Sequence, residues 1–179
     1  MNIKKVIVLG FSILILLAVT ILASCGGNDM QSKKASDYFS KLTEKENLDN
    51  LSLTIYYINP SILTRAPLSV DNLINHNAVH RIVVPGIELT ENSDLFKNIG
   101  NVDFIPVKKK SRINARLYYI FEAGEDGKIV DVAMWGDDSS VFVNGVEVKD
   151  NDVFYDVIRP FLTEDAVKEL EIYFNREGQ

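Results

Sequence analysis

Acidic and hydroxyl side chains cluster at one turn of the chain, in the sequence WGDDSS from Trp135 to Ser140. A pair such as Asp137 and Asp138 can bind calcium or carry out acid–base chemistry when its two carboxylates converge on one point. The D-x-D-x-D-G spacing of a calcium loop is absent, and turns select Asp and Ser for their own backbone geometry. We therefore predict a turn here, whose rim is the first place to look for a small-molecule site.

The two histidines of the chain, His76 and His80, are four residues apart in the sequence HNAVH. On a helix this spacing places both imidazoles on one face, where they can bind zinc. Asn75 and Asn77 disfavour a helix, and no glutamate follows His76 as it does in zinc proteases. We therefore predict a loop that leads into a strand, with no metal site and no cofactor.

The densest positive run is KKKSR, from Lys108 to Arg112, in a chain whose formal net charge is −6. Such a run can contact lipid head groups or teichoic-acid phosphates, but a solvated loop between strands is the simpler interpretation. The acidic balance makes nucleic acid a poor partner. A nucleophile elbow, a phosphate-binding loop and a dinucleotide fingerprint are missing, so we lean against an enzyme.

Patterns of apolar residues predict a single α+β domain over residues 50–179. We expect strands at Leu51–Ile58, His80–Val84 and Val102–Val107, and then an antiparallel meander over Arg112–Val148. Its last turn is Asn144-Gly145, a strong hairpin signal. The domain is expected to hold a mostly antiparallel sheet of about six strands, with short helices and two helices at the C-terminus.

Capping residues mark where these helices should begin. A side-chain oxygen at the N-cap accepts a hydrogen bond from a backbone N–H group that has no partner inside the helix. The predicted N-caps are Ser69, Thr90, Asp150 or Asn151, and Thr163.

Aromatic residues on the predicted strands divide between the core and a partly exposed surface. Tyr56, Tyr118 and Trp135 lie on the faces opposite the clearest apolar alternation. We predict that they form, together with Asp137 and Asp138, a surface that binds a ligand or a partner.

The N-terminus holds an uncharged apolar run, Val6–Ala23, which follows Lys4 and Lys5 and ends near Cys25, the only cysteine. The residues Leu22, Ala23, Ser24 and Cys25 resemble the lipobox of bacterial lipoproteins. The resemblance implies that residues 1–24 are a signal peptide, cut between Ser24 and Cys25, and that the Cys25 thiol carries a lipid. The alternative is an uncleaved anchor helix in which Cys25 is incidental, because a run of this length is ambiguous.

Under either interpretation we expect the body of the protein to lie outside the cytoplasm, tethered to a membrane. Cleavage would remove Lys4 and Lys5 but no acid, which changes the formal net charge from −6 to −8. We predict that residues 25–49 are the lipidated N-terminus and a flexible spacer, with a weak helical patch around Ser36–Glu46. Gly26 in place of an aspartate after the cysteine favours a Gram-positive cell.

The functional hypotheses follow from this expected location and from the missing catalytic motifs. The leading one is a non-catalytic binding or interaction module at the cell envelope, and the body resembles small bacterial lipoproteins of unknown function. An immunity-type lipoprotein that sequesters a cationic peptide is a second, since the acidic body would attract one. The others are an envelope enzyme with its site near Asp137 and Asp138, and an accessory subunit of an envelope complex.

Overall fold

The computed structural model of the chain describes Phe39, Leu42 and residues 48–100, 102, 104–107, 111–124, 127–134 and 140–174. Its strands are β1 (Leu51–Tyr57), β2 (His80–Pro85), β3 (Leu117–Ala123), β4 (Gly127–Met134), β5 (Val141–Val143) and β6 (Val146–Val148). Its helices include α1 (Val70–Ile74), α2 (Gly86–Glu91), α3 (Ser93–Gly100), α4 (Val153–Asp156) and α5 (Glu164–Phe174), and a 3₁₀ turn spans Arg159–Phe161.

The strands form one sheet in the order β2-β1-β3-β4-β5-β6, with every neighbouring pair antiparallel. Strands β3 to β6 follow one another as the predicted meander. The predicted fold class, an α+β domain with a six-stranded antiparallel sheet and two helices near the C-terminus, is confirmed. Among the described residues, no helix has both the length and the apolar character that crossing a bilayer requires.

One face of the sheet carries the larger core. Alternate residues of β1 and β3 are buried there, and helices α2 to α5 cover them. Tyr119 is fully buried at the centre, and its hydroxyl donates a hydrogen bond of 3.0 Å to the main-chain oxygen of Phe154. This bond ties the middle of the sheet to the first C-terminal helix.

The opposite face carries a smaller core, which we call the second core. It contains Tyr118, Ala133 and Phe142 from three adjacent strands, together with Leu68 and Leu73 from the connection between β1 and β2. That connection crosses this face and includes α1, whose N-cap Ser69 accepts from the backbone N–H of Asn72 as predicted. Both faces of the central strands are therefore covered at one end of the sheet.

Local turn and cap chemistry was predicted well at two further places. Asn144 and Gly145 both have positive φ, 47° and 75°, which is the hairpin geometry that their types favour. Thr163 caps α5 through its hydroxyl, which accepts from Ala166 N at 3.2 Å. The start of α4 differs from the prediction: its N-cap is Asp152 and not Asp150 or Asn151, although the Asn151 side-chain oxygen accepts from Val153 N at 3.0 Å.

Two predicted elements are wrong. Val102–Val107 is not a strand: its described residues make only an isolated bridge, Pro106 to Val148, beside β6. Main-chain bonds flank this bridge, from Lys149 N to Ile105 O at 2.8 Å and from Val107 N to Glu147 O at 3.0 Å, but among the described residues the pairing extends no further. Thr90 is not an N-cap, because helix α2 already begins at Gly86, and the Thr90 hydroxyl instead lies 3.0 Å from the Gly86 oxygen.

The predicted boundary between spacer and domain at residue 50 is also too late. Phe39, Leu42 and Leu48, which we assigned to the spacer, are helical and almost completely buried in the larger core. The ring of Phe39 stacks on that of Phe104, with centroids 5.5 Å apart. Apolar residues in a polar segment thus complete the core, and Phe39 and Leu42 fall within the helical patch that the sequence predicted.

Candidate ligand-binding cavity

A cavity of about 350 Å³ opens between the loop that follows β1 and the segment that precedes β3. Its volume lies at the lower end of the range typical of small-molecule sites. The described residues that line it are Pro60, Ile62, Leu63, Thr64, Arg65, Ala66, Pro67, Asn114 and Arg116.

The loop is shaped by residues at its two ends. The Asn59 side-chain oxygen accepts from Ser61 N at 2.9 Å and its main-chain oxygen accepts from Ile62 N at 3.0 Å, which turns the chain after β1. At the far end, Leu68 N donates to the side-chain oxygen of Asn114 at 3.0 Å, and Leu68 O accepts from Ala115 N at 2.9 Å. The loop is therefore fastened across the cavity to the segment before β3 that carries Arg116.

Arg116 lies at the base of the cavity with only 8% of its surface exposed. Its backbone bonds the neighbouring strands: N donates to Met134 O at 3.1 Å, and O accepts from Ile58 N at 3.0 Å. The guanidinium nitrogen Nη2 donates to the Thr64 hydroxyl at 3.2 Å, and Nη1 lies 3.5 Å from Ala115 O. The backbone thus holds this side chain at the end of the sheet, beneath the loop.

None of the ion pairs between described residues includes Arg116. Burial of a cation without a counter-charge is unfavourable, and real proteins compensate with hydrogen bonds, water or a ligand. A guanidinium has five N–H donors, of which the described contacts engage two. The base of the cavity therefore carries a positive charge whose described hydrogen bonds all go to neutral oxygens.

The walls differ chemically from the base. Their apolar part comes from Pro60, Ile62, Leu63, Ala66 and Pro67, and Leu63 is 97% exposed; Thr64, Arg65 and Asn114 make the rest of the lining polar. No carboxylate, imidazole or thiol occurs among the described lining residues, and the Thr64 hydroxyl donates to Ala66 O and has no such group in the lining to act as its base. The arrangement is suited to binding.

The predicted surface around Tyr56 and Tyr118 is only partly described. The two rings are neighbours across β1 and β3, with centroids 6.1 Å apart, and Arg81 lies over the Tyr56 ring at 5.8 Å. Tyr118 is buried in the second core and donates to Asp131 at 3.2 Å. Burial, reinforced by the Asp131 charge, raises the pKa of Tyr118. Tyr118 is therefore mainly a core residue and contributes little to an exposed surface.

The other predicted site residues lie outside the described residues. These are Trp135, Asp137, Asp138, Ser24, Cys25 and the lysines Lys108–Lys110. Met134, which accepts from Arg116, is the residue immediately before Trp135 in the chain.

The end of the predicted basic run has an acidic partner. Ser111 donates through both its backbone N–H and its hydroxyl to the carboxylate of Glu147, the latter at 2.8 Å. Glu147 is buried on β6, so these two bonds compensate for part of its lost hydration. Ser111 is thereby fixed to the sheet rather than free in a solvated loop.

The two histidines have separate structural contacts. His76 accepts from Ala78 N through Nδ1 at 3.1 Å, and the His80 ring stacks on Tyr57 with centroids 4.8 Å apart. Within the described part of the chain, no group of three or more potential ligands among His, Cys, Asp and Glu is placed to hold a metal ion.

Sequence reasoning missed Arg116, Asn114 and Thr64 as site residues. The meander was predicted to begin at Arg112, but β3 begins only at Leu117, and Asn114 and Arg116 instead line the cavity. One signal was present: Arg116 is a charged residue inside an apolar run and shares the strand parity of buried Tyr118. A charge at a position that alternation places inside is a sign of function or of a hidden partner.

Comparison of the chain with protein-family models, with curated proteins and with solved structures found no match.

Proposed function

We propose that this chain is a lipid-anchored, extracytoplasmic binding module of a bacterial envelope, which holds a small ligand in the Arg116 cavity and does not catalyse a reaction on it. The observation that carries the proposal is Arg116, a buried arginine with no ionic partner among the described residues, in a cavity whose lining combines apolar residues with a few polar groups. Concave, mostly apolar sites with a few convergent polar groups are the usual form of ligand pockets.

The lipobox residues Leu22 to Cys25 support the anchor. Residues 26–38 separate Cys25 from the first described core residue, Phe39. Thirteen residues span at most about 45 Å when fully extended. The module would therefore lie near the bilayer, able to hold a ligand close to the membrane surface.

Blocking the cavity tests the binding function. Ala66 is exposed and lines the cavity, so Ala66→Trp should fill its mouth without disturbing the core. Ser61→Trp is the matched control, because Ser61 is exposed on the same loop but does not line the cavity. The measurement is a thermal-shift screen of a small-molecule library with the full-length chain in a neutral detergent.

We expect compounds that stabilise the wild type and Ser61→Trp but not Ala66→Trp, since ligand binding to the native state raises its apparent stability. A screen that finds no such compound, or one whose hits stabilise Ala66→Trp equally, would contradict the binding function.

Substitution of the cysteine tests the anchor. Cys25→Ser should prevent incorporation of radiolabelled palmitate and leave the protein as its longer precursor, because a serine hydroxyl does not form the thioether to the lipid. Ser24→Ala is the control, since it keeps a small residue before the cysteine and should be labelled and cleaved normally. Normal labelling of Cys25→Ser would disprove the lipoprotein assignment.

A further inference from the structure

We propose that the ligand of the Arg116 cavity is a molecule that presents one carboxylate on a compact apolar body. This inference rests on the proposed function, because it concerns the same cavity.

The charge of Arg116 calls for an anion. Arg116 has only 8% of its surface exposed, and the described contacts of its guanidinium are with the neutral oxygens of Thr64 and Ala115. A carboxylate matches the planar fork of a guanidinium through two parallel hydrogen bonds, which are about twice as strong as bonds between neutral groups. The cavity thus favours an anion, although the net charge of the chain suggested a cationic partner.

Thr64 holds the guanidinium ready for such a ligand. Its hydroxyl donates to Ala66 O at 2.9 Å, so the hydroxyl proton is engaged and the oxygen accepts from Arg116 Nη2 at 3.2 Å. The direction of both bonds is therefore determined without a ligand. A side chain that is already oriented loses less conformational entropy when the ligand binds.

The walls favour a carboxylate over an inorganic phosphate. Five apolar residues line the cavity together with the one buried cation, whereas the second arginine of the lining, Arg65, is exposed. An inorganic phosphate would leave these apolar residues without a partner, and its second negative charge would have only the solvent-exposed Arg65 to pair with. A carboxylate on an apolar body would pair its single negative charge with Arg116, and its apolar body would remove the apolar wall residues from water.

A pair of probes with nearly the same shape tests the inference by calorimetry on the full-length chain in a neutral detergent. Benzoate should bind at least about tenfold more tightly than benzamide, since the two differ mainly in charge. Inorganic phosphate is the probe without an apolar body and should bind more weakly than benzoate. N-acetyl-alanyl-leucine and its C-terminal amide then distinguish a peptide terminus from a free small acid.

Variants assign the effect to the cavity. Arg116→Gln should remove the preference for the acid over the amide, and Arg159→Gln should retain it, because Arg159 is exposed and paired with Glu171 elsewhere. If Arg116→Gln does not fold, two other measurements test the inference. One is the binding of the probes by Arg116→Lys, which keeps the charge but loses the planar fork, and the other is the comparison of the probes on the wild type.

Two results would overturn the inference: equal binding of benzoate and benzamide by the wild type, or tighter binding of phosphate than of every carboxylate. If neutral compounds bind and Ala66→Trp blocks them, the binding function stands and only the carboxylate inference fails. If no compound binds in the cavity, the proposed function fails with it.

Discussion

At the scale of single residues, unusual conformations and unpaired charges concentrate at a few positions. Arg116 is the main one for function, because its burial without an ionic partner among the described residues has a cost that a ligand would reduce. Asn144 and Gly145 are the main ones for the fold, since both adopt the left-handed backbone of a tight hairpin turn.

Gly145 provides a prediction at this scale. No atom lies within 4 Å of the position that a Cβ would occupy, so only the φ of 75° disfavours a larger residue. Gly145→Ala should lower the free energy of unfolding by roughly 1 kcal/mol, and Gly145→Asn by less, because asparagine tolerates this region better. Urea denaturation at neutral pH measures both, and an equal loss in the two variants would contradict the explanation.

At the scale of elements, the N-terminal segment docks onto helix α2 at Gly86. A Cβ on Gly86 would collide with the main-chain oxygens of Leu48 and Asp49, so the close approach requires glycine. Thr90, one turn further along α2, donates to the Asp49 side chain. These contacts make Leu48 part of the domain and bring the preceding helical residues to the core.

Gly86→Ala should therefore destabilise the protein, although the backbone conformation of Gly86 is ordinary. The expected loss in unfolding free energy is roughly 1–3 kcal/mol, the typical cost of overpacking. Ile87→Ala is the control on the same helix, because Ile87 is mostly exposed and its truncation should change stability by less than about 0.5 kcal/mol. Chemical denaturation compares the two, and equal stabilities would show that the segment at Leu48 moves aside freely.

At the scale of the whole molecule, the core buries several tyrosines whose ionisation is coupled to folding. Burial raises the pKa of Tyr57, Tyr118 and Tyr119 above the ordinary value of 10.0 and that of Tyr155 to about 12. The neutral phenols pack against both faces of the sheet, so an alkaline solvent acts on both cores together.

We expect stability to fall as the pH rises above about 10. Below that pH the tyrosines are protonated in both states. Above it the unfolded chain releases protons that the folded chain retains, so unfolding becomes more favourable; the contribution of Tyr155 is lost as the pH approaches 12. Urea denaturation between pH 8 and 11.5 measures the slope, and absorbance at 295 nm reports the phenolates.

Tyr118→Phe should reduce that slope, because it removes one of the shifted groups. Phenolate absorbance that appears near pH 10 with no loss of structure would contradict the coupling.

Much of the fold was readable from the sequence, because the relevant interactions are local. Alternation over Leu51–Tyr57, the Asn144-Gly145 turn and the caps at Ser69 and Thr163 each depend on residues within about four positions of one another. Thr90 and Val102–Val107 misled the prediction because their residue types suit a cap and a strand. Helix α2 instead begins at Gly86, which packs against Leu48 and Asp49, and the described residues of Val102–Val107 make only an isolated bridge.

The sequence by itself determined the lipobox resemblance at Cys25, the α+β class and the turn chemistry, because these are encoded in neighbouring residues. Only the tertiary structure decided that Phe39, Leu42 and Leu48 belong to the core, because their partners are distant in the chain. It alone also revealed the cavity, in which Thr64 and Arg116, 52 positions apart, share a hydrogen bond. A buried charge acquires its role from what folding places around it, and no short pattern of residue types records that environment.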